Sequence, residues 1–475
     1  MTTRGMFPPV EEPMPGHMLT AIRREICQLY LSDSRPWVIG YSGGKDSTCV
    51  VQLVWEALST LGPGQRRKTV HVIASDTLIE TPVIIDRLNA SLAKMREAAE
   101  AALLPIVAEK VYPTLSDTFW VNLLGRGYPA PTTRFRWCTD RLKIRPANKY
   151  IRDRASQYGE VVILLGARRS ESATRAQTIK LRSPRGELVS RHSTMPSALV
   201  YLPIRDLATE DVWTYLLQVP NPWGEDNHDL LAMYKTIQGG ECPAVVDTST
   251  SSCGNSRFGC WVCTVVTREQ SLSTLVETGE DWLEPLLEFR ESLVETQDPA
   301  VKHQYRDYKR RAGRVEIKDG KWIRGPYRLD VCQRFLRQLL EAQTEMRRTG
   351  PDPALTLVSE EELLEIRRIW RFERQDWADS LPTIVRDAAG AELDCAAEDI
   401  GLLGQRELQL LERSCSQSGV PVQLAQKLLD VEAELYGLAR RAAIFRRLDS
   451  ILSEEWRTED EVRRARGQEL AEGSP

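Results

Sequence analysis

The segment Ser42-Gly43-Gly44-Lys45-Asp46-Ser47 constrains the fold more than any other stretch of this chain. It follows an apolar run at 37–41 that is typical of a buried strand, and it precedes a segment, 48–58, with the apolar density of a helix packed on a sheet. A glycine turn between a strand and a helix presents backbone N–H groups and the positive end of the helix dipole to an anion. We therefore expect a phosphate-binding loop, to which the serines add hydroxyl donors and Lys45 a charge. The alternative is a glycine turn with a serine cap.

Two further apolar runs, 69–74 and 161–166, predict strands of the same sheet. The first ends at Ser75-Asp76 and the second is followed by Arg168-Arg169. Near-continuous apolar strands that alternate with helical stretches predict an α/β fold with a parallel sheet, whose ligands bind at the carboxyl ends of the strands. After about residue 266 the composition changes to charged, amphipathic helix, which predicts a mainly helical C-terminal extension.

Composition narrows the class of protein. A chain of 475 residues has room for two or three domains, and its formal net charge of −4 is no general signature of nucleic-acid binding. Any contact with DNA or RNA must therefore come from a local basic patch. The first sixteen residues lack the apolar core of a secretory signal, and no run of 18 apolar residues is present. We expect a soluble, cytoplasmic protein with no membrane contact.

Such a patch is found at 302–326, where nine lysines and arginines are interleaved with Tyr305, Tyr308 and Trp322. Arginines and aromatic side chains together can follow a phosphate backbone, which makes this run a candidate DNA contact. The alternative is a solvated helical face, which most charge runs are.

Four cysteines lie within 22 residues, in the spacing C-x10-C-x6-C-x2-C: Cys242, Cys253, Cys260 and Cys263. A disulfide framework is not expected in a cytosolic chain of this size. Four thiolates suit either a tetrahedral zinc ion or a 4Fe–4S cluster, and the spacing alone does not choose between them.

The glycine loop has the SGGxDS form of the PP-loop ATP pyrophosphatases, and other segments resemble the phosphoadenylylsulfate (PAPS) reductase branch of that superfamily. They are 75–82, 137–146, 166–176, and 202–204 with 211–213. In the first of them, Leu78 replaces the glycine of the family's pattern. The resemblance implies an adenine nucleotide alpha hydrolase-like domain that splits ATP into AMP and pyrophosphate.

Within that branch, segments 134–143 and 253–264 resemble the DndC family, the sulfurtransferases of bacterial DNA phosphorothioation. This implies that ATP and Mg²⁺ are used to adenylate a DNA phosphate, after which sulfur replaces a non-bridging oxygen. It also implies a 4Fe–4S cluster on the four cysteines. The expected partners are DNA, a cysteine desulfurase as sulfur donor, and other proteins of the same modification system.

Cys138 lies in a basic segment, which predicts a lowered thiol pKa. The basic residues are Arg134, Arg136, Arg141, Lys143 and Arg145. We expect Cys138 to carry the transferred sulfur as a persulfide. The alternative is a cluster ligand, because the aligned position in adenylylsulfate reductases belongs to a pair of cysteine ligands. Here Trp137 stands at the first position of that pair.

The remaining roles follow from the same matches. Lys45 and Asp46 are expected to be catalytic with Cys138, and Asp46 either holds Mg²⁺, fixes the loop or caps the helix. Arg168 and Arg169 are expected to clamp phosphate, with a solvated salt bridge as the alternative. The predicted nucleotide-binding set is Tyr41, Ser42, Gly43, Gly44, Lys45, Asp46, Ser47, Ser75, Asp76, Arg168 and Arg169.

The predicted domains are 1–265 for the ATP pyrophosphatase domain, including a cysteine-rich loop at 240–265, then 266–350 for a basic helical region that contacts DNA. Residues 351–475 are expected to form a helical region for partner docking or, equally, a self-contained helical cap on the catalytic domain. The rival functions are a PAPS or adenylylsulfate reductase, a tRNA thiolase, and a DNA-binding scaffold without catalysis.

Overall fold

A computed structural model describes residues 16–182, 187–236, 259–266, 270–318, 321–395, 403–435 and 442–472. The chain divides into two compact units, of which unit 1 comprises residues 1–114 and 131–281 and unit 2 comprises 115–130 and 282–475. Two of the predicted metal ligands, Cys242 and Cys253, lie outside the described residues. Within the described ranges, no helix is both long and apolar enough to cross a lipid bilayer.

Unit 1 contains a sheet of six strands with the order β3-β2-β1-β4-β6-β5, in which β5 alone runs antiparallel to its neighbour. The strands are β1 (Trp37–Gly40), β2 (Val70–Ser75), β3 (Ile106–Val111), β4 (Val161–Leu164), β5 (Val189–Arg191) and β6 (Ala198–Tyr201). The helices are α1 (Gly16–Leu31), α2 (Lys45–Ser59), α3 (Pro82–Ala101), α4 (Arg145–Tyr158), α5 (Ala173–Arg182), α6 (Thr209–Gln218), α7 (Asn227–Thr236) and α8 (Gln270–Glu277).

Apolar residues cover both faces of this sheet, and successive strand residues alternate between two cores. Trp37 and Ile39 of β1 pack with α1, α2 and α6, whereas Val38 packs with α4. Because both faces are buried, the strands read as continuous apolar runs rather than as alternating ones. The predicted α/β fold with a parallel sheet and a helical C-terminal region is confirmed.

Unit 2 is mainly helical. Its elements are α9 (Glu284–Glu295), α10 (Lys302–Tyr305), β7 (Ile317–Lys318), β8 (Lys321–Trp322), α11 (Leu329–Thr349), α12 (Glu360–Glu373), α13 (Ser380–Ala389), α14 (Gln405–Ser418), α15 (Val422–Leu435), α16 (Ala442–Leu452) and α17 (Glu459–Glu472). The basic run 302–326 is therefore not a continuous helix. It consists of the four-residue helix α10, turns and the hairpin β7–β8.

The core of unit 2 also contains a segment from much earlier in the chain, residues 115–130, which includes a π-helical turn at Val121–Gly125. Trp120 is buried and donates from Nε1 to the carbonyl of Leu357 at 2.7 Å. Trp370 of α12 donates from its Nε1 to the carbonyl of Leu124 at 2.8 Å. The two compact units thus differ from the three consecutive domains expected from composition, since composition does not show which chain segments pack together.

Candidate active site

The predicted phosphate loop connects β1 to α2 and is held by its own hydroxyl groups. Gly43 has φ = +72°, a left-handed conformation that glycine adopts without strain. The hydroxyl of Ser47 donates to the carbonyl of Gly44 at 3.0 Å and accepts the N–H of Ser42 at 3.2 Å. The Oγ atoms of Ser42 and Ser47 are 3.1 Å apart. Both serines therefore shape the loop itself.

Asp46 lies in the first turn of α2, and both of its carboxylate oxygens contact cations. Oδ1 accepts a hydrogen bond from Nε of Arg168 at 2.6 Å, and Oδ2 contacts Nζ of Lys45 at 2.8 Å. Gly44, not Asp46, occupies the N-cap position of α2. Of the three roles weighed for Asp46, the structure thus shows it fixing the loop.

Arg168 and Arg169 have different surroundings, although both were expected to clamp phosphate. Arg168 is 2 % exposed and also donates from Nη1 to the hydroxyls of Ser170 and Thr209. Arg169 forms a surface ion pair with Asp206 at 2.5 Å, in which both side chains are half exposed. Arg168 therefore holds the glycine loop through its contact with Asp46. Arg169 forms the solvated salt bridge that was the alternative to phosphate binding.

Gly166, at the end of β4, lets this strand approach the loop closely. A Cβ atom at this position would lie 2.8 Å from the carbonyl carbon and oxygen of Asp46 and 3.0 Å from the nitrogen of Ser47. The backbones of the two segments are therefore in contact, and only glycine fits between them.

The segment after β2 carries the predicted residues Ser75 and Asp76. Asp76 is buried, pairs with Nζ of Lys110 at 2.9 Å and accepts the N–H of Leu78 at 3.0 Å. Leu78 has φ = +64°. This left-handed conformation explains why the family's pattern has glycine there, since a residue with a Cβ is strained in it.

A pocket at the carboxyl edge of the sheet joins the loop to this segment. Tyr41, Ser42, Gly43 and Ser75, which belong to the predicted nucleotide-binding set, line it. Glu80 and Lys143 come from the matched segments 75–82 and 137–146. The remaining walls come from residues that no motif indicated, because they lie far apart in the chain, and these include Ile84, Arg87, Leu88, Ser91, Glu225, Leu230 and Met233. Apolar walls combined with a few charged groups suit a heterocyclic, phosphorylated ligand.

Two of the four predicted metal ligands, Cys260 and Cys263, are described, and Cys260 contacts the segment that lines the pocket. The N–H of Cys263 donates to the carbonyl of Cys260 at 3.0 Å, so the two thiols share one tight turn. Sγ of Cys260 is 3.4 Å from the hydroxyl of Thr77, and Cys260 pairs through its backbone with Glu80, which lines the pocket. Among the described residues, no three His, Cys, Asp or Glu side chains are arranged to hold a metal ion.

Cys138 is half-buried and lies close enough to Cys263 for the two thiols to interact electrostatically. Burial raises the pKa of the Cys138 thiol to about 11, the Cys263 thiol acts in the same direction, and Lys143 opposes them. The expected lowering of this pKa is therefore wrong. Of the basic residues that surround Cys138 in sequence, Lys143 is the one whose charge offsets the burial, and it does so only in part.

Comparison with known proteins bears on this site. Residues 36–265, which include the loop, the pocket and the cysteine turn, match the phosphoadenosine phosphosulfate reductase domain. An uncharacterized protein from Methanocaldococcus jannaschii is 24% identical over 196 residues, which cover 41% of this chain and 34% of that protein. The match thus spans about a third of the relative's length.

Two solved structures are similar at low TM-scores. The U34-tRNA thiolase NcsA from Methanococcus maripaludis with its 4Fe–4S cluster is 10% identical, with a TM-score of 0.27 and coverage of 61% of this chain and 81% of that one. The NH3-dependent NAD synthetase from Campylobacter jejuni subsp. jejuni in complex with the nitrate ion is 14% identical, with a TM-score of 0.25 and coverage of 60% and 95%. We draw no conclusion about function from either.

Proposed function

We propose that the chain is an ATP-dependent sulfurtransferase of DNA phosphorothioate modification, and the match of residues 36–265 to the phosphoadenosine phosphosulfate reductase domain supports the ATP-dependent part of this proposal. The finer assignment, DNA phosphorothioation, rests on the resemblance of segments 134–143 and 253–264 to the DndC family. A cytoplasmic location and a cysteine desulfurase as sulfur donor belong to the same proposal.

The proposal rests on the position of Cys138 and Cys260 next to segments that line the pocket. Lys143, which lines the pocket, lies on the same π-helical turn (Thr139–Ile144) that follows Cys138. Glu80 lines the pocket and pairs with Cys260. The thiols and the pocket therefore lie at the same edge of the sheet, and this supports a sulfurtransferase that first adenylates its substrate.

The chemistry starts from a phosphate oxygen that is a poor leaving group. Attack by a non-bridging oxygen on the α-phosphorus of ATP releases pyrophosphate and leaves AMP attached to the DNA phosphate. A sulfur nucleophile can then displace AMP, which departs with the original oxygen. If the nucleophile is the persulfide of Cys138, a second thiol must attack the Cys138 sulfur, which releases the phosphorothioate and leaves a disulfide. The glycine loop and Lys45 supply charge neutralisation for the first step, as preorganised N–H groups and cations do in other sites.

Mg²⁺ at Asp46 fits this geometry poorly. Both carboxylate oxygens are within 2.8 Å of a cationic side chain, so a metal ion would compete with Arg168 and Lys45 for them. The role of Asp46 derived from this structure is to position Lys45 and the first turn of α2. We derive no step that passes through a metal bound to Asp46.

The thiols of Cys260 and Cys263 fit as one half of a four-thiolate site, because they share a turn and thiolates bind both zinc and iron–sulfur clusters. Cys242 and Cys253 are the other two proposed ligands. A 4Fe–4S cluster would supply electron transfer or hold sulfur in this family. The proximity of Cys138 to Cys263 supports the ligand role for Cys138 as well as the carrier role.

The hairpin β7–β8 is the proposed DNA contact within 302–326. Lys318 and Lys321 pair directly across the hairpin, and both are exposed, as is the preceding Arg314. Like charges directly opposite one another destabilise a hairpin, and an anionic ligand would remove that repulsion. Arg306 and Arg324 are not available in the same way, because Arg306 donates to the carbonyl of Gly325 and Arg324 forms a bidentate pair with Glu459.

The experiment is mass spectrometry of nuclease-digested DNA from cells that carry the complete modification system. We expect phosphorothioate dinucleotides with the native chain and none with Asp46→Ala, while Asp229→Asn, an exposed carboxylate of α7, serves as the matched control. Phosphorothioates that persist in Asp46→Ala would contradict the role of this site. Their absence with the native chain would favour a PAPS or adenylylsulfate reductase, a tRNA thiolase or a non-catalytic DNA-binding scaffold.

Iron content of Cys138→Ser separates the two roles of that residue. Full iron with lost DNA modification would support the sulfur carrier. Loss of iron would support the cluster ligand and exclude the carrier role as we state it.

A further inference from the structure

A chain of hydrogen bonds ends at a carboxylate in the wall of the pocket. Oγ of Ser91 donates to Oε2 of Glu225 at 2.9 Å, and Nε1 of Trp223 donates to the same oxygen at 2.8 Å. Tyr41 lies behind Ser91, with its hydroxyl 2.9 Å from Ser91 Oγ. Because the Ser91 proton goes to Glu225, the Tyr41 hydroxyl is the donor in that contact, and burial with the nearby Glu225 charge raises the pKa of Tyr41 to about 12.

The two carboxylate oxygens of Glu225 differ in their hydrogen bonding. Oε2 accepts two hydrogen bonds, and among the described residues none donates to Oε1. Glu225 is partly buried and lines the same pocket as Ser42 and Gly43 of the glycine loop. Oε1 of Glu225 is therefore an acceptor in the pocket wall that a bound ligand would pair with.

The pocket has apolar side chains as well as charged ones such as Arg87 and Asp226. Ile84 and Leu88 of α3 and Leu230 and Met233 of α7 line the pocket. A flat heterocycle fits between such side chains, and its polar edge must then find partners, since an unpaired polar group in an apolar wall is costly.

We propose that Glu225 selects the base of the nucleotide, by accepting a hydrogen bond from the exocyclic amine of adenine; this rests on the proposed use of ATP in this pocket. A carboxylate with both oxygens open pairs with two donors on one edge of guanine. In this pocket Oε2 of Glu225 already accepts hydrogen bonds from Ser91 and Trp223, so Oε1 is left to accept one donor from the base. The amine of adenine supplies that donor. Guanine and hypoxanthine place a carbonyl oxygen at that position, and they would have to shift within the pocket to offer their N1–H instead.

The hydrogen bonds from Ser91 and Trp223 also predict how the side chain of Glu225→Gln is oriented. Ser91 and Trp223 both need an acceptor, so the amide oxygen takes the place of Oε2 and the amide NH2 takes the place of Oε1. The pocket then presents a donor instead of an acceptor. It should disfavour the amine of adenine and favour the carbonyl of hypoxanthine or guanine.

The test measures equilibrium binding of ATP, inosine triphosphate and purine riboside triphosphate, which has hydrogen at the amine position. The native chain should bind ATP about 10- to 100-fold more tightly than the other two, the range expected for one hydrogen bond to a charged group. Glu225→Gln should lose this preference or reverse it towards inosine triphosphate. Asp229→Asn, which removes a carboxylate from α7 outside the pocket lining, should keep the native preference.

Equal affinity of the native chain for all three nucleotides would overturn the inference without any variant, and so would an unchanged preference in Glu225→Gln. A different result would contradict the proposed function. In that case the native protein would bind ATP selectively, but cells with the complete modification system would contain no phosphorothioate. Binding selectivity and DNA modification therefore report on the two proposals separately.

Discussion

Arg168 and Asp46 form a buried ion pair at 2.6 Å that joins the segment after β4 to the first turn of α2. Their side chains are 3% and 9% exposed, so water screens the pair little. Because Lys45 holds the second oxygen of Asp46, one carboxylate fixes two cations next to the glycine loop. The pair is thus a structural support of the proposed phosphate site.

We expect Arg168→Ala to lower the free energy of unfolding by about 3–5 kcal/mol, because it leaves the Asp46 carboxylate buried without its main partner. The matched control is Arg169→Ala, whose exposed pair with Asp206 contributes about 0–1 kcal/mol. Denaturant unfolding of both variants measures the difference. Equal effects of the two substitutions would show that the Arg168 pair is not supporting the loop.

Gly166→Ala should displace the glycine loop. The added methyl group would lie 2.8 Å from backbone atoms of Asp46, which cannot move aside as a flexible side chain can. We expect a loss of about 1–3 kcal/mol in the free energy of unfolding, typical of overpacking, and a loss of nucleotide affinity. Gly64→Ala is the control, since nothing lies within 4 Å of the new methyl group there. Calorimetric ATP binding that is the same in both variants would contradict this account.

His71 predicts a pH dependence of stability. Burial and the charge of Arg154 lower the pKa of His71, which contacts the hydroxyl of Tyr150 at 2.9 Å. The unfolded chain therefore binds a proton at higher pH than the folded chain does. Stability from neutral His71 is complete above the ordinary histidine pKa of about 6.5 and is lost as pH falls from there towards the lowered folded value.

Denaturant unfolding between pH 5 and pH 8 measures this contribution. The free energy of unfolding of the native chain should fall more steeply below pH 6.5 than that of His71→Gln, which has no titrating group at this position. Identical pH profiles would show that His71 does not contribute.

The raised pKa of Cys138 predicts slow alkylation. With a pKa of about 11, its thiolate fraction at pH 8 is about 100-fold smaller than that of an unshifted cysteine. Iodoacetamide labelling of chelator-treated protein, followed by peptide mass spectrometry, measures the rate for this residue. We expect the rate to rise steadily between pH 8 and pH 11. A rate at pH 8 equal to that of glutathione would show that the thiolate is stabilised instead.

Charge reversal at the β7–β8 hairpin tests the DNA contact. Lys318→Glu with Lys321→Glu should weaken DNA binding and reduce the slope of log affinity against log salt by about 0.9 for each lost phosphate contact. Arg348→Glu, an exposed cation of α11 outside the basic run, is the control. A salt slope that the hairpin substitutions leave unchanged excludes the hairpin as a DNA contact.

Local sequence was enough to predict the glycine loop and three of the six strands of the sheet, but not β3, β5 or β6. Strands β1, β2 and β4 are buried on both faces, so their apolar runs are visible, and the conformation of Gly43 requires glycine itself. The surroundings of Cys138 were not predictable in this way. Sequence neighbours suggested a basic environment, whereas burial and the thiol of Cys263, 125 positions later, set its pKa.

Contacts between distant segments account for the other differences. Nothing in the sequence around Arg168 indicates that Asp46 is its partner, and Glu225 lies far along the chain from the loop whose pocket it lines. Such contacts depend on how the strands are ordered in the sheet. That order comes from the packing of the whole unit rather than from any local pattern.

The segment 115–130 can fold only after much later parts of the chain have been synthesised, because it packs in unit 2 with residues 282–475. The carbonyl of Leu124 accepts a hydrogen bond from the indole of Trp370, which is 246 residues further along the chain. This bond cannot form until Trp370 has been synthesised. At about 5–20 residues per second, a ribosome needs roughly 10–50 s to make that distance. During this time the apolar side chains of 119–124 lack part of the core that covers them in the folded chain, although Phe289, which packs on Trp120, is made earlier than Trp370. A nascent chain that stops after residue 281 would keep this segment exposed, which makes aggregation or chaperone binding its expected fate.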